Sequence, residues 1–232
     1  MNDFVRQVDA SGFAILPTFL ESETIAKLDR ALPASVGENG GLRNLLDVQE
    51  IAELAENPQV RTLVDALLGP AAFPVRGILF DKTAVANWKV TWHQDLTIAV
   101  MQRVEAPGYG PWSEKASVVH VQPPVEVLER MLVVRLHLDA SGPNNGPLRV
   151  LAGSHRAGKL RDSEIPSWSS RIAEQVCLVP RGGALLMRPL LLHASSPALE
   201  PTRRRVIHIE YAGCHLAPGL EWRWSRHDAR AA

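Results

Sequence analysis

Three stretches of this chain, Trp88 to Ile98, Met131 to Asp139 and Arg204 to Tyr211, each split by odd and even position into an apolar set and a polar set. Successive side chains of a β-strand point to opposite faces, so this parity is the mark of strands with one face packed in a core. In the first stretch Trp88, Val90, Trp92, Leu96 and Ile98 oppose Thr91, His93, Asp95 and Thr97. In the second, Leu132, Val134, Leu136 and Leu138 oppose Arg135, His137 and Asp139. In the third, Ile207, Ile209 and Tyr211 oppose Arg204, His208 and Glu210. A sheet with a solvated outer face would show the same alternation. Such a face favours Lys, Glu, Ser and Thr, however, whereas these concentrate His, Arg and Asp, the side chains that bind metals and carboxylates. The expectation is a functional lumen.

Around these strands the pattern places helices first and a mostly β body second. Glu21 to Ala31 carries apolar residues at helical spacing, and Asn57-Pro58 reads as an N-cap and first helical residue before Val60 to Leu68, with Gly69-Pro70 as the stop. A short strand precedes these helices. From about Phe73 onward, short runs of Val, Leu and Ile are punctuated by Gly, Pro and Asn, as strands are. Two irregular stretches, about 102–117 and 153–172, are long enough to be lids or surface insertions. With 232 residues, 46% of them hydrophobic, and no repeat or linker, residues 1–232 are expected to form a single domain. Its parts would be a helical portion, 1–70, and a β core, 71–232.

Charge and cysteine content narrow the function. Lys+Arg and Asp+Glu number 25 each, so no global field attracts a polyanion, and neither nucleic acid nor a membrane surface is an expected partner. The N-terminal sequence lacks a basic region followed by an apolar one, and no apolar run approaches the ~20 residues of a membrane span. A soluble, cytoplasmic protein acting on a small molecule is expected. The two cysteines, Cys177 and Cys214, are too few for a disulfide framework or a thiolate metal site. A metal would need His and carboxylate ligands.

His93 and Asp95 are two apart on one strand face and can reach one ion. A third ligand must come from elsewhere, and His193, which ends the apolar run Leu190-Leu191-Leu192, suits a buried strand delivering one polar group to the same cavity. Two histidines and one carboxylate make the facial triad of non-haem Fe(II) oxygen chemistry, with positions left open for other ligands. The spacing alone does not decide, because His137/Asp139 and His208/Glu210 repeat it. His137/Asp139, however, leads into Ala140-Ser-Gly-Pro-Asn-Asn-Gly146, where Asp139 is explained as a turn initiator. His155, His215 and His227 lie in loop or terminal sequence and receive no role.

Trp92-His-Gln-Asp95 resembles the phytanoyl-CoA dioxygenase family of Fe(II)/2-oxoglutarate oxygenases. Asn145-Gly-Pro-Leu148 and Ala152-Gly-Ser-His155 are similar to the family's Asn-Gly-x-Leu and Pro-Gly-Ser-His elements, with alanine where proline is usual. His193-Ala-Ser195 followed by Arg204 is similar to its distal histidine and downstream arginine. The resemblance runs in order over about 73–212, and several motifs in sequence are far more specific than one. It implies a double-stranded β-helix (jelly roll) with N-terminal helices, Fe(II) held by His93, Asp95 and His193, and 2-oxoglutarate and O2 as cosubstrates. Arg204 would take the C5 carboxylate of 2-oxoglutarate, assisted by Ser195. Its planar fork suits a carboxylate, and of Arg203, Arg204 and Arg205 only Arg204 shares parity with His208 and Glu210.

Lys82 is a further cosubstrate candidate, although a solvent-facing lysine explains it better. Arg135 and His137 are substrate or cosubstrate candidates, and depart from the aromatic character expected there in many members. The implied reaction is hydroxylation of an unactivated C–H bond with release of succinate and CO2. Relatives that halogenate have a small residue in place of the carboxylate ligand, and Asp95 fills that position. Tyr109, Trp112, Trp222 and Trp224 are either walls of a substrate pocket, Trp112 foremost, or packing aromatics. A catalytically silent β-helix protein that binds a small acid through Arg204 and Arg135 is the alternative.

Overall fold

The computed structural model describes residues 2–37 and 40–224, so His227 lies outside the described residues. Helix α1 (Asp3–Ser11) comes first, ahead of the anticipated short strand β1 (Phe13–Leu16). Gly12 caps α1 with φ 85°, its N–H donating to the Val8 carbonyl. Then follow α2 (Ser22–Ala31), a two-residue strand β2 (Gly41–Leu42), α3 (Gln49–Ala55) and α4 (Pro58–Leu68). The Asn57 side chain accepts from the Gln59 N–H with Pro58 in the first turn, so α4 starts where the sequence signals it, and it stops at Gly69.

The β body comprises β3 (Phe73–Lys82), β4 (Val90–His93), β5 (Ile98–Val100), β6 (Trp112–Lys115), β7 (Val118–Val121), β8 (Met131–His137) and β9 (Leu148–Val150). After these come β10 (Gln175–Cys177), β11 (Ala184–Met187), β12 (His193–Ser195) and β13 (Arg204–Ala212), with short helices α5 (Val125–Glu129) and α6 (Ile165–Arg171) between strands. A six-stranded antiparallel sheet has the order β1-β11-β8-β13-β3-β2, and a four-stranded one the order β10-β9-β12-β4. A hairpin-like third sheet, β5-β7-β6, occupies part of the stretch expected to be irregular at 102–117. The mainly β, antiparallel jelly-roll class expected from the sequence is the observed one.

The large sheet carries the two faces read from parity. Leu132, Val134, Leu136, Leu138, Ile207, Ile209 and Tyr211 pack into the core that also takes the buried faces of α2, α3 and α4. Tyr211 is fully buried and its hydroxyl donates to the Ala55 carbonyl, tying the end of α3 to the centre of the sheet. The opposite face bears Arg135, His137, Arg204, His208 and Glu210, all buried. Burial on both faces separates this sheet from one with a solvated side.

Parity fails in one place, and the failure shapes the site. The run from Trp88 to Ile98 is not one strand: β4 ends at His93, and Asp95 sits in the connection before β5, its N–H donating to the Pro189 carbonyl. Within β4, His93 pairs with His193 but Val90 pairs with Ser195, so three steps on β4 match two on β12. This bulge switches the side chains across the strand. Trp88 and Val90, expected in the core, therefore line the same cavity as His93 and Asp95.

Candidate metal centre

His93 and His193 come from paired positions of neighbouring strands, and Asp95 reaches in from just beyond the end of β4. The ring centroids of the two histidines are 4.1 Å apart. One donor atom from each of His93, Asp95 and His193 lies within 4.8 Å of the others, the single group of this kind among the described residues. His93 Nε2 is 3.7 Å from one Asp95 oxygen and His193 Nε2 is 3.6 Å from the other, too far for hydrogen bonds.

Each ring is set by its own strand. Nδ1 of His93 lies 2.9 Å from the Thr91 carbonyl, and Nδ1 of His193 lies 2.9 Å from the Leu191 carbonyl. A carbonyl can only accept, so Nδ1 carries the proton in both rings and each Nε2 turns a lone pair to the common point. Asp95 Oδ2 is buried and has no hydrogen-bond partner. An orphaned carboxylate oxygen facing two imidazole lone pairs is unfavourable unless a cation sits among them, so the donor set fits one metal ion. Burial alone would raise the Asp95 carboxyl, yet His193, His208, His93 and Arg76 outweigh it and hold it at about 2. Burial pushes His193 down to about 4 against the pull of Asp95, so the ring is neutral at pH 7 and available as a ligand.

These groups open on a cavity of about 130 Å³ whose walls include Trp88, Arg135, Ser195, Arg204 and His208. Arg204 is 4% exposed. Its Nη1 donates to the Gly146 carbonyl and the Ser141 hydroxyl, while its Nε has no partner. Arg135, also buried, donates Nη1 to Nδ1 of His208 at 3.0 Å and likewise leaves Nε unpartnered. Burial, with the neighbouring Arg135 in the case of Arg204, lowers both guanidinium groups to about 10, so both stay charged at pH 7. No ion pair joins either to a carboxylate among the described residues. Two buried cations with unused donors call for an anionic guest.

The remaining sequence candidates divide. Ser195 lines the cavity, and its oxygen accepts from Lys82 Nζ at 3.2 Å. Lys82 is fully buried, which overturns the solvent-facing alternative. Its ammonium is used up by Ser195 and the carbonyls of Trp88 and Ser196, and burial beside Arg204 lowers it to about 8. It is not a cavity wall and touches the cavity lining through Ser195. His137 is buried behind the cavity with both ring nitrogens unpartnered, and burial beside Arg135 and Arg204 keeps it neutral. Trp112 lies on β6, packed with Tyr109 and Trp222 in a separate apolar cluster and away from the cavity walls. Trp224 belongs to the helix-facing core.

Four contributors were not legible in the sequence, among them Phe80, which lines the cavity beneath Arg135. Trp88 and Val90 were masked by the bulge. Gln94, between the two ligands, is 6% exposed and donates to the Gly158 and Leu190 carbonyls while accepting from the Leu160 N–H. It thereby bolts the 158–160 loop to the ligand-bearing segment.

The model of the family described as phytanoyl-CoA dioxygenase (PhyH) matches residues 8–206. The chain belongs to that family. Membership makes it a 2-oxoglutarate-dependent, non-haem iron oxygenase. No curated protein sequence matches the chain. Among solved structures, EctD from S. alaskensis with 2-oxoglutarate and 5-hydroxyectoine is similar at TM-score 0.69 and 18% identity, over 94% of this chain and 80% of that one. The non-heme alpha ketoglutarate dependent carbocyclase SnoK from nogalamycin biosynthesis is similar at TM-score 0.69 and 14% identity, over 100% of this chain and 91% of that one. EvdMO1 is similar at TM-score 0.64 and 22% identity over 90% of this chain, which spans only 49% of EvdMO1. At these identities the structural likeness speaks for the shared fold. No helix among the described residues is long and apolar enough to cross a membrane.

Proposed function

We propose that this family member hydroxylates an unactivated C–H bond of a small molecule, converting 2-oxoglutarate and O2 to succinate and CO2. The observation that carries the reading is one small cavity holding both the His93, Asp95, His193 donor set and a buried Arg204 with an unused Nε. His93, Asp95 and His193 would hold Fe(II). Bound Fe(II) supplies the centre at which 2-oxoglutarate is oxidatively decarboxylated and the C–H bond is oxidised.

The chain's own residues do the rest. Arg204 offers its Nε–H to the C5 carboxylate, a charge-assisted contact in a site from which most water is excluded. The Ser195 oxygen is occupied by the Lys82 ammonium, so its O–H is free to donate to the same carboxylate. Arg135 adds a second positive charge on the Asp95 side of the cavity and is itself held over the Phe80 ring and against His208. The backbone carbonyls of Thr91 and Leu191 keep both ligand imidazoles in the coordinating tautomer. Three protein ligands would leave the remaining positions of the ion to 2-oxoglutarate and O2.

Anaerobic addition of Fe(II) and 2-oxoglutarate tests the reading through the visible metal-to-ligand charge-transfer band. A band is expected in the wild type, weakened in both Asp95→Ala and Arg204→Ala. Its absence from folded, iron-loaded wild type would replace the oxygenase with a silent protein that binds a small acid.

A further inference from the structure

A second, larger hollow adjoins the metal cavity. It measures about 530 Å³, within the ~300–1,000 Å³ of small-molecule sites, against about 130 Å³ for the inner one. Only His93 lines both. One wall is β4 and its continuation, with Trp92 and Leu96, and the other is Leu160, Ile165 and Pro166 from the 153–172 stretch. The stretch is not a loose insertion: Ile165, Trp168 and Ile172 pack with Trp92, Leu151 and Leu192, and Gln94 ties residues 158–160 to the ligand segment.

The two compartments differ in charge. Arg135 and Arg204 face the inner one, whereas no lysine or arginine lines the outer one. Besides His93, its polar walls are Thr91, Ser169, the fully committed Gln94 and one carboxylate, Asp162. Of the basic residues close in sequence, Arg161 is paired with Glu164, Lys159 with the Gln122 side-chain oxygen, and Arg149 with Glu174 and over the Trp92 ring, while Lys89 and Arg171 are exposed and do not line the hollow. Phosphates and carboxylates are recognised by free Arg, Lys or helix N-termini, and α6 begins instead next to Glu164 and Asp162.

Building on the proposed function, we infer that the substrate is a largely apolar molecule without phosphate or carboxylate groups, bound in the Trp92–Ile165 groove and meeting the metal past His93. The structure thus assigns the anionic cosubstrate to the inner cavity and excludes coenzyme A thioesters from the outer one. Charge sorting keeps the two ligands from exchanging places.

Mn(II)-loaded protein with 2-oxoglutarate provides the test, since Mn(II) broadens the proton resonances of any molecule bound beside it. The probes are coenzyme A and a fragment set divided equally among neutral, cationic and anionic members. Neutral or cationic apolar fragments should be broadened, with coenzyme A and the carboxylates at least about tenfold weaker. Asp162→Lys combined with Ser169→Arg, both at exposed positions, should narrow that gap and leave Mn(II) binding unchanged. Anions broadened as strongly as neutral fragments in the wild type, or no fragment broadened at all, would overturn the inference. Mn(II) binding is read separately by electron paramagnetic resonance. Its failure would count against the metal centre, while fragment binding would still register as chemical-shift changes.

Discussion

Arg203, Arg204 and Arg205 are adjacent in the chain and have three different environments. Arg203 donates to both oxygens of Asp81, and Arg205 is held by Asp139 and Asp29, so each is neutralised on the helix-facing or edge side of β13. Arg204 alone enters the lumen. Parity with His208 and Glu210 made this legible, because a strand in the middle of a sheet cannot slip by one residue without exposing its whole core face. The pairing of Asp139 with Arg205 was not legible, since its partner lies on another strand and a turn explained the residue equally well. The burial of Lys82 was not legible for the same reason: it comes from Ser195 and Ser196, more than a hundred residues away. Arg204→Ala should weaken 2-oxoglutarate binding at least about tenfold while unfolding free energy changes little. Arg205→Ala should leave that binding within about twofold and cost roughly 2–4 kcal/mol of stability, as loss of one partner from a mostly buried ion pair does. Isothermal titration and urea unfolding of both variants check this, and weakened cosubstrate binding in Arg205→Ala alone would refute the division of roles.

At the scale of elements, the site depends on two irregularities that alternation rules do not encode. One is the extra residue in β4, which brings Trp88 and Val90 to the cavity together with His93. The other is the turn after β8. There Gly146 adopts φ 69°, which disfavours any side chain, and its carbonyl accepts from Arg204. A Cβ on Gly146 would come to 2.5 Å from the Ser196 carbonyl oxygen and 2.9 Å from Lys82 Nζ. The Asn145-Gly146 pair was readable as part of a motif, but its packing against the residues beside Ser195 was not. Gly146→Ala should therefore displace Arg204 and the Lys82–Ser195 contact together. The expected outcome is at least about a tenfold loss of 2-oxoglutarate affinity with Mn(II) affinity held within about twofold. An equal loss of both would mean that the turn supports the whole barrel and not the cosubstrate end.

Across the whole molecule, net charge is zero and the isoelectric point is about 7.1, so mutual repulsion does not govern stability near neutral pH. Buried histidines do. Burial lowers His120 and His193 to about 4 each, and burial beside two arginines lowers His137 well below its ordinary range. The three are neutral in the folded chain, whereas in the unfolded chain they regain an ordinary pKa of about 6.5. Below about pH 6.5 the unfolded state thus binds protons that the native state does not, and stability falls with pH until the folded pKa values are reached. Each such histidine contributes about 1.4 kcal/mol per pH unit over that window, or roughly 4 kcal/mol per unit if all three act. Asp95, depressed to about 2, adds a loss in the same direction only below its unfolded value of about 4. Urea midpoints of the metal-free protein should be nearly level above about pH 7 and decline steeply between about pH 6 and 4.5. His120→Gln removes one such proton from a site outside the metal centre, so its decline should be shallower by up to about a third, His155 being lowered by burial as well, once its own midpoint at neutral pH is taken as reference. A wild-type midpoint that stays level down to about pH 4.5 would show that these imidazoles are solvated in the folded protein, and with that the dry lumen on which the cosubstrate site depends would be lost.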